Sequence, residues 1–104
     1  MDLGLTIKEL RKQKGITQSV LAEKSGITQT YLSQIESNGK EPNLSTLRVI
    51  SDKLDVPLPI IFFLSLDEKD IKPDKALAYT HLAPSMKAMI NELYVNTSSD
   101  DKNV

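Results

Sequence analysis

The chain has 104 residues, enough for one compact domain of ordinary size or a small domain with an appendage, and too few for a multi-domain enzyme. Its 13 basic and 14 acidic residues give a net charge of -1, which by itself argues against a nucleic-acid binder because such domains usually carry excess Lys and Arg. The absence of cysteine excludes disulfide scaffolds, thiol nucleophiles and cysteine-ligated metal sites.

The beginning of the chain predicts two short helices. Apolar residues at helical spacing indicate a first helix that ends at Gly15. Thr17 is a good N-cap residue, and it precedes a second helical segment over residues 18–25 that ends at Gly26. The apolar positions of the first helix are Leu3, Ile7 and Leu10.

Three more helical segments are predicted up to residue 66. Thr28 is the N-cap of a third helix that ends near Asn38 and Gly39, and Asn43 opens a fourth. Residues 57–66 form a fifth, short apolar segment. The fourth helix has its apolar residues three and four apart, at Leu44, Leu47, Ile50 and Leu54. Since almost no alternating pattern suggests strands, an all-α fold is expected.

The composition changes at Asp67. Residues 67–74 are highly charged and are interpreted as a linker. Two helical candidates follow, over residues 73–82 and from Pro84 to residue 94, with proline at a favourable first-turn position of the second. Residues 96–104 are polar and are expected to be a disordered tail.

Residues 18–37 have the spacing of two short helices joined by a tight turn. Ala22 is small enough for two helix backbones to cross closely, and Gly26 lies where the turn needs a positive φ. The apolar residues that would hold the two helices together are Leu21, Ile27, Leu32 and Ile35. This spacing matches the helix-turn-helix, whose second helix enters the major groove of DNA.

Several runs, all in register, resemble the phage-repressor and Cro family of helix-turn-helix proteins, also called the xenobiotic-response-element family. They are Ile16-Thr17-Gln18, residues 21–27, residues 31–36 and Gly39-Lys40-Glu41-Pro42, with further matches at residues 8–11, 44–47 and 54–56. The resemblance spans about residues 5 to 66. It implies a five-helix repressor-like DNA-binding domain over residues 1–66, and a sequence-specific transcription regulator whose partner is double-stranded DNA.

Helical geometry gives an independent test of this interpretation. At roughly 100° per residue, Tyr31, Leu32 and Ile35 fall on one side of the third helix. The opposite face is entirely polar and uncharged, and it contains Gln29, Thr30, Ser33, Gln34 and Ser37. Glutamine can bond adenine through two hydrogen bonds in the major groove, and Ser or Thr can bond several base edges. The alternative is that these side chains are ordinary solvent-facing residues.

The resemblance implies specific roles for these side chains. Gln29, Thr30 and Gln34 would read bases with a contribution from Ser33, and Gln18 would clamp a phosphate at the start of the second helix. Weaker candidates for backbone contacts are Thr17, Thr28, Tyr31, Asn38 and Lys40, of which Tyr31 could equally be a packing residue.

Two other features concern the framework behind this surface. Arg11 and Glu36 match a family pair that forms an ion pair and orients the third helix. The chain departs from the family pattern at Asn38, where glycine is common, and at Asp55, which replaces a common helix-ending glycine.

The charges are distributed unevenly. Residues 1 to 40 have a net charge of +2, residues 41 to 66 of -1 and residues 67 to 104 of -2. The basic part therefore coincides with the helix-turn-helix. Because the excess is small, we expect few phosphate contacts per monomer and a need for dimerisation.

Residues 59–66 are apolar almost all round, whereas a surface helix in a small domain should be apolar on one side only. In the family that this chain resembles, the fifth helix often helps to form the dimer. The predicted dimerisation residues are Ile60, Ile61, Phe62, Phe63, Leu64, Met86, Met89, Ile90 and Leu93. Alternatively, the helical segment over residues 67–95 folds back and covers the fifth helix. A two-fold dimer would place two recognition helices roughly 34 Å apart on an inverted repeat.

Other chemistry is not indicated. His81 is the only histidine and has no evident partner, and the acidic run over residues 67–74 lacks the glycine and spacing of a calcium loop. We therefore expect no catalytic residues, metal or cofactor. The longest apolar stretch is far short of the roughly 20 residues of a membrane span, and no secretory signal is present, so a cytoplasmic protein is expected.

Three functions remain open at this stage. The first is a repressor that blocks polymerase by occupying promoter DNA as a dimer. The second is an antitoxin or adaptor whose C-terminal segment binds a partner protein. The third is a restriction–modification controller, which also binds DNA but often activates.

Overall fold

The computed structural model describes residues 1–95, and the regular secondary structure in this range is all helical. The chain divides into two compact units: residues 2–65, and Met1 together with the residues from Leu66 onward. The expected disordered tail over residues 96–104 lies outside the described residues.

The first unit contains the five helices that the sequence predicts. They are α1 (Leu3–Gln13), α2 (Gln18–Ser25), α3 (Gln29–Glu36), α4 (Leu44–Leu54) and α5 (Leu58–Ser65). The repressor-like all-α architecture is thereby confirmed.

Side-chain caps fix where the first four helices begin. Asp2, Thr17, Thr28 and Asn43 each accept a hydrogen bond, at 2.8 to 3.2 Å, from the backbone N–H three residues later. Such a cap satisfies one of the N–H groups that a helix leaves without an internal partner, and it stabilises the helix by about 1 kcal/mol. The caps separate α2 from α1, and α3 from α2, into short helices.

The turn between α2 and α3 depends on Gly26. This residue has φ 70°, as the sequence predicts, and its N–H donates to the carbonyl of Glu23 at 3.2 Å. The next N–H, of Ile27, donates to the carbonyl of Ala22 at 3.0 Å. A side chain at position 26 would strain this left-handed conformation, so the glycine is what allows the sharp turn from α2 into α3.

In the first unit, α3 packs one face into the hydrophobic core and exposes the opposite face to solvent. Helix α1 packs against α3 and α5, α2 packs against α3 and α4, and α4 also contacts α5. The most deeply buried side chains include Ile7, Leu21, Leu32, Ile35, Ile50, Leu54, Val56 and Ile61. Leu32 and Ile35 hold the inner face of α3 in this core, and the polar face is left at the surface.

The second unit differs from the sequence prediction. Instead of two helices separated at Pro84, one helix, α6 (Pro73–Ile90), runs through the proline and is followed by a π-helical turn over Asn91–Val95. Proline has no N–H to donate to the carbonyl of Thr80, and Thr80 is an exposed residue.

The charged segment before α6 also has structure of its own. The predicted linker contains a 3₁₀ turn over Glu68–Asp70, capped by the side chain of Asp67. Within the same unit, the hydroxyl of Tyr79 donates to the carbonyl of Leu66 at 3.1 Å. The segment is therefore more ordered than a plain solvated linker.

We expect Leu32→Ala to lower the free energy of unfolding by about 2–5 kcal/mol, because it leaves a cavity under α3 where Leu32 is fully buried. The measurement is urea denaturation followed by circular dichroism. The matched control is Leu77→Ala on α6, where the side chain is 72% exposed and the cost should stay below about 0.5 kcal/mol. Equal losses in the two variants would contradict the packing described here.

Candidate nucleic-acid interface

The outer face of α3 forms one side of a shallow depression of about 320 Å³. It is lined by Gln18, Gln29, Thr30, Ser33 and Gln34. These are the four residues for which the family resemblance implies a base-reading role, together with the glutamine at the start of α2. The structure thus brings the predicted central residues together, and none of the lining side chains carries a charge.

Behind this depression lies a buried ion pair between α1 and α3. The Nε and Nη2 atoms of Arg11 donate to the two carboxylate oxygens of Glu36 at 2.8 and 2.9 Å, and Nη1 donates to the carbonyl of Ile16 at 3.0 Å. Only 10% of the Arg11 side chain and 3% of the Glu36 side chain are exposed. The hydrogen bonds to Glu36 raise the pKa of Arg11, so the guanidinium is charged at every accessible pH.

The ion pair extends to the surface through two glutamines. Gln18 Nε2 donates to Glu36 Oε1 at 3.2 Å, and Gln29 Nε2 donates to Gln18 Oε1 at 3.4 Å. Because a carboxylate only accepts hydrogen bonds, Gln18 must turn its amide nitrogen inward and its oxygen outward. That oxygen in turn requires a donor from Gln29, which leaves the Gln29 oxygen and its second N–H available at the surface.

Residues at the two ends of α3 have backbone roles. The hydroxyl of Thr28 caps the helix by accepting from the N–H of Tyr31 at 3.0 Å, and Tyr31 itself is half-buried. At the other end, the N–H groups of Gly39 and Lys40 donate to the carbonyl of Gln34 at 2.7 and 3.1 Å. The side chain of Lys40 is exposed just beyond the helix, where a cation can reach a phosphate.

The side chain of Asn38 is engaged within the domain. Asn38 has φ 62°, and its Nδ2 donates to the carboxylate of Asp2 at 2.7 Å while its Oδ1 accepts from the N–H of Gly4 at 3.1 Å. The bond from Asn38, followed by that from Leu5, lowers the pKa of Asp2. Sequence reasoning did not identify Asp2 and Gly4 as part of the framework, because they lie more than 30 residues from their partner.

The predicted dimerisation residues fall into three groups. Ile61 and Ile90 are buried in the single chain, so a partner would have to contact their neighbours instead. Ile60, Phe62, Phe63 and Leu64 on α5 are half-buried. Met86, Met89 and Leu93 are 42%, 57% and 56% exposed, and Leu82, which the sequence analysis did not single out, is 61% exposed.

Residues 1–95 contain neither a membrane-spanning helix nor a metal-binding cluster. No helix there has both the length and the apolarity needed to cross a membrane. The His, Asp and Glu side chains of this range do not gather into a group that could hold a metal ion.

We expect Arg11→Ala to lower the free energy of unfolding by about 3–5 kcal/mol, because it leaves the buried carboxylate of Glu36 without its cation. Urea denaturation at neutral pH measures the loss. Lys12→Ala is the control, since Lys12 is the exposed neighbouring cation on α1. If both substitutions cost less than about 1 kcal/mol, the ion pair does not hold α1 and α3 together.

Comparison with known structures identifies similar proteins. SinR, a master regulator of biofilm formation solved in complex with DNA, is 41% identical over 58% of this chain and 97% of its own, with a TM-score of 0.55. A tyrosine-to-alanine mutant of the restriction–modification controller protein C.Esp1396I is 33% identical over 61% of this chain and 82% of its own, with a TM-score of 0.58. A complex of the SinR and SinI proteins matches 98% of this chain and 99% of its own at 31% identity, with a TM-score of 0.56.

The search of curated proteins found no match. A family model, however, covers more than half of the chain: the helix-turn-helix model HTH_3 matches residues 7–61, the segment that runs from α1 into α5. This range contains the ion pair, the polar outer face of α3 and the turn at Gly26. The chain therefore belongs to the HTH_3 helix-turn-helix family, the Cro/C1 type of DNA-binding transcription regulators.

Proposed function

We propose that the protein is a dimeric repressor that reads an inverted-repeat operator with α3 and blocks transcription by occupying promoter DNA. The observation that carries the proposal is the uncharged polar face of α3, whose four predicted readers line one depression with Gln18. Such a regulator acts on DNA in the cytoplasm, and we assign it no catalytic activity.

The chemistry of the depression favours readout by paired hydrogen bonds. Gln29 and Gln34 each offer one carbonyl oxygen and an amide group, the pattern that matches the N6 and N7 edge of adenine. Thr30 and Ser33 can donate or accept, and the threonine methyl group can also contact a thymine methyl group. Because the lining contains no Arg or Lys, this surface lacks the usual partners of guanine.

Phosphate contacts would come from the edges of this surface. Gln18 lies at the start of α2, where free N–H groups and the helix dipole favour an anion. Thr17, Thr28 and Tyr31 at the helix starts and the exposed Lys40 beyond α3 are further candidates. Few of these groups are charged, which supports the need for two DNA-binding units on one operator.

The exposed apolar residues of α6 and of the π-helical turn after it support dimer formation. Leu82, Met86 and Met89 follow one another on α6 at intervals of four and three, which places them along one side of that helix, and Leu93 in the π-helical turn is also exposed. Large apolar side chains in one exposed row are typical of an interaction surface. A second copy of the chain would bury this row and bring two α3 helices to one operator.

A protein partner is the second candidate for this segment. The SinR–SinI complex aligns with 98% of the chain, so the similarity includes the second unit as well as the DNA-binding helices. Because the matched structure is a complex of two proteins, it supports the proposal that this chain also binds a partner protein. A restriction–modification controller role is supported only by similarity over the DNA-binding unit.

We expect Gln29→Ala combined with Gln34→Ala to abolish sequence-specific binding, with each lost glutamine costing about 1–3 kcal/mol of discrimination. The measurement is fluorescence anisotropy with a duplex that the wild-type protein selects from a random pool, compared with a scrambled duplex. The control is Gln13→Ala, which removes an exposed glutamine on α1. Specific binding that survives the double substitution would contradict the assignment of readers.

We expect Met86→Lys combined with Met89→Lys to convert a dimer into a monomer, because two cations would face each other across the row. Sedimentation velocity measures the mass of the protein in solution. The affinity for DNA should fall by about 100-fold or more, because the DNA-binding unit of the second protomer is lost. Leu77→Lys is the control, since Leu77 is exposed on another side of α6. A monomeric wild-type protein, or a double variant that stays dimeric, would contradict this interface.

A further inference from the structure

We propose that Asn38 is a positioning residue that clasps the C-terminal end of α3 to the first turn of α1 and so sets the angle at which α3 meets DNA. The inference rests on the DNA-reading role proposed above for α3. It assigns to Asn38 a function within the domain rather than a contact with the DNA backbone.

The clasp uses both ends of the Asn38 amide. Nδ2 donates to Asp2 Oδ1 at 2.7 Å, and Oδ1 accepts from the N–H of Gly4 at 3.1 Å. Asp2 is the N-cap of α1, and the N–H of Gly4 is one that the helix leaves without an internal partner. One side chain therefore completes the start of α1 while it lies just beyond the end of α3.

The backbone conformation at Asn38 does not by itself favour asparagine over glycine. With φ 62°, the residue is in the left-handed region, where asparagine is tolerated but glycine is cheaper. Glycine would fit this backbone, but the Asp2 carboxylate and the N–H of Gly4 would then lose their hydrogen bonds with Asn38. Asparagine can adopt the left-handed conformation of the turn and can also form the two hydrogen bonds to α1.

The two helices also approach each other closely at this point. A Cβ atom built on Gly4 would collide with the backbone carbonyl of Ile35 and with Oδ1 of Asn38. Gly4 is accordingly buried. The first turn of α1 lies directly against the last turn of α3, so the clasp acts between two backbones in contact.

The clasp and the buried ion pair hold α3 from two places along α1. Asp2 and Gly4 are at the start of α1, whereas Arg11, which binds Glu36, is near its end. Residues 4 and 11 are about 10 Å apart at 1.5 Å per residue. One attachment would permit a pivot, whereas two attachments that are separated along α1 restrict rotation of the end of α3, where Glu36 and Asn38 lie two residues apart.

A small change of angle would matter at the far end of α3. Gln29 lies nine residues before Asn38, or roughly 13 Å along a helix, so a tilt of about 5° moves it by roughly 1 Å. Hydrogen bonds to base edges tolerate only a few tenths of an ångström, whereas contacts with phosphates and bulk charge tolerate more. Loss of the clasp should therefore reduce sequence discrimination more than overall attraction to DNA.

The first test is Asn38→Gly, which keeps the backbone conformation and removes the clasp. We expect about tenfold weaker binding to the duplex selected by the wild-type protein, with unchanged affinity for a scrambled duplex and an unchanged salt dependence. Carbon-detected NMR titration should show the pKa of Asp2 moving up towards its ordinary value, which reports the broken clasp independently of DNA. Circular dichroism at the assay temperature verifies that the variant is folded.

The second test exchanges the two side chains. Asn38→Asp alone places two carboxylates against each other and should weaken specific binding at least as much as Asn38→Gly. Adding Asp2→Asn restores one donor and one acceptor with their positions exchanged, and asparagine caps a helix as well as aspartate does. We expect the double variant to recover specific affinity to within about threefold of the wild type.

The outcomes separate the inference from the proposed function. If the wild-type protein enriches no sequence from the random pool, the proposed function is wrong. If it does, the inference is overturned by specific affinity in Asn38→Gly within twofold of the wild type, or by equal loss on both duplexes. The inference is also overturned if the double variant does not recover specific affinity. If Asn38 contacts a phosphate instead, the aspartate at position 38 of the double variant repels that phosphate, and specific affinity stays low.

Discussion

The charges of Arg11 and Glu36 lie where water is almost excluded, and this constrains much of the DNA-binding unit. An unpaired charge at either position would be costly, so α1 and α3 must meet where guanidinium and carboxylate can form two hydrogen bonds. The same carboxylate then orients Gln18, and Gln18 orients Gln29. An interior electrostatic requirement thus determines which atoms a surface side chain presents.

Local rules predicted the framework of this unit well. Caps at Thr17, Thr28 and Asn43 and the glycine at position 26 act within three or four residues, so the helix ends could be inferred from the sequence. The polar face of α3 follows from helical periodicity alone. The four predicted readers lie together in one depression.

Features that depend on distant residues were not predictable in the same way. The bonds of Asn38 reach back 34 and 36 residues, and no local pattern marks Gly4 as a point of close helix approach. Proline was expected to begin a new helix at Pro84, but α6 continues through it, and Thr80, the residue whose carbonyl loses its donor, is exposed. Periodicity placed Ile90 in the same apolar stripe as Met86 and Met89, whereas in the structure Ile90 is buried and the two methionines are exposed.

The backbone N–H of Asp2 donates to the carbonyl of Ser65 at 3.0 Å, so the first and last residues of the DNA-binding unit are hydrogen-bonded neighbours. A domain whose ends meet can be inserted into another polypeptide, or circularly permuted through a short linker, without stretching its helices. Different C-terminal units could accordingly be joined to one DNA-binding unit of this kind during evolution. Because its ends are adjacent, this DNA-binding unit is a portable module, and regulatory units can be joined to it without changing its fold.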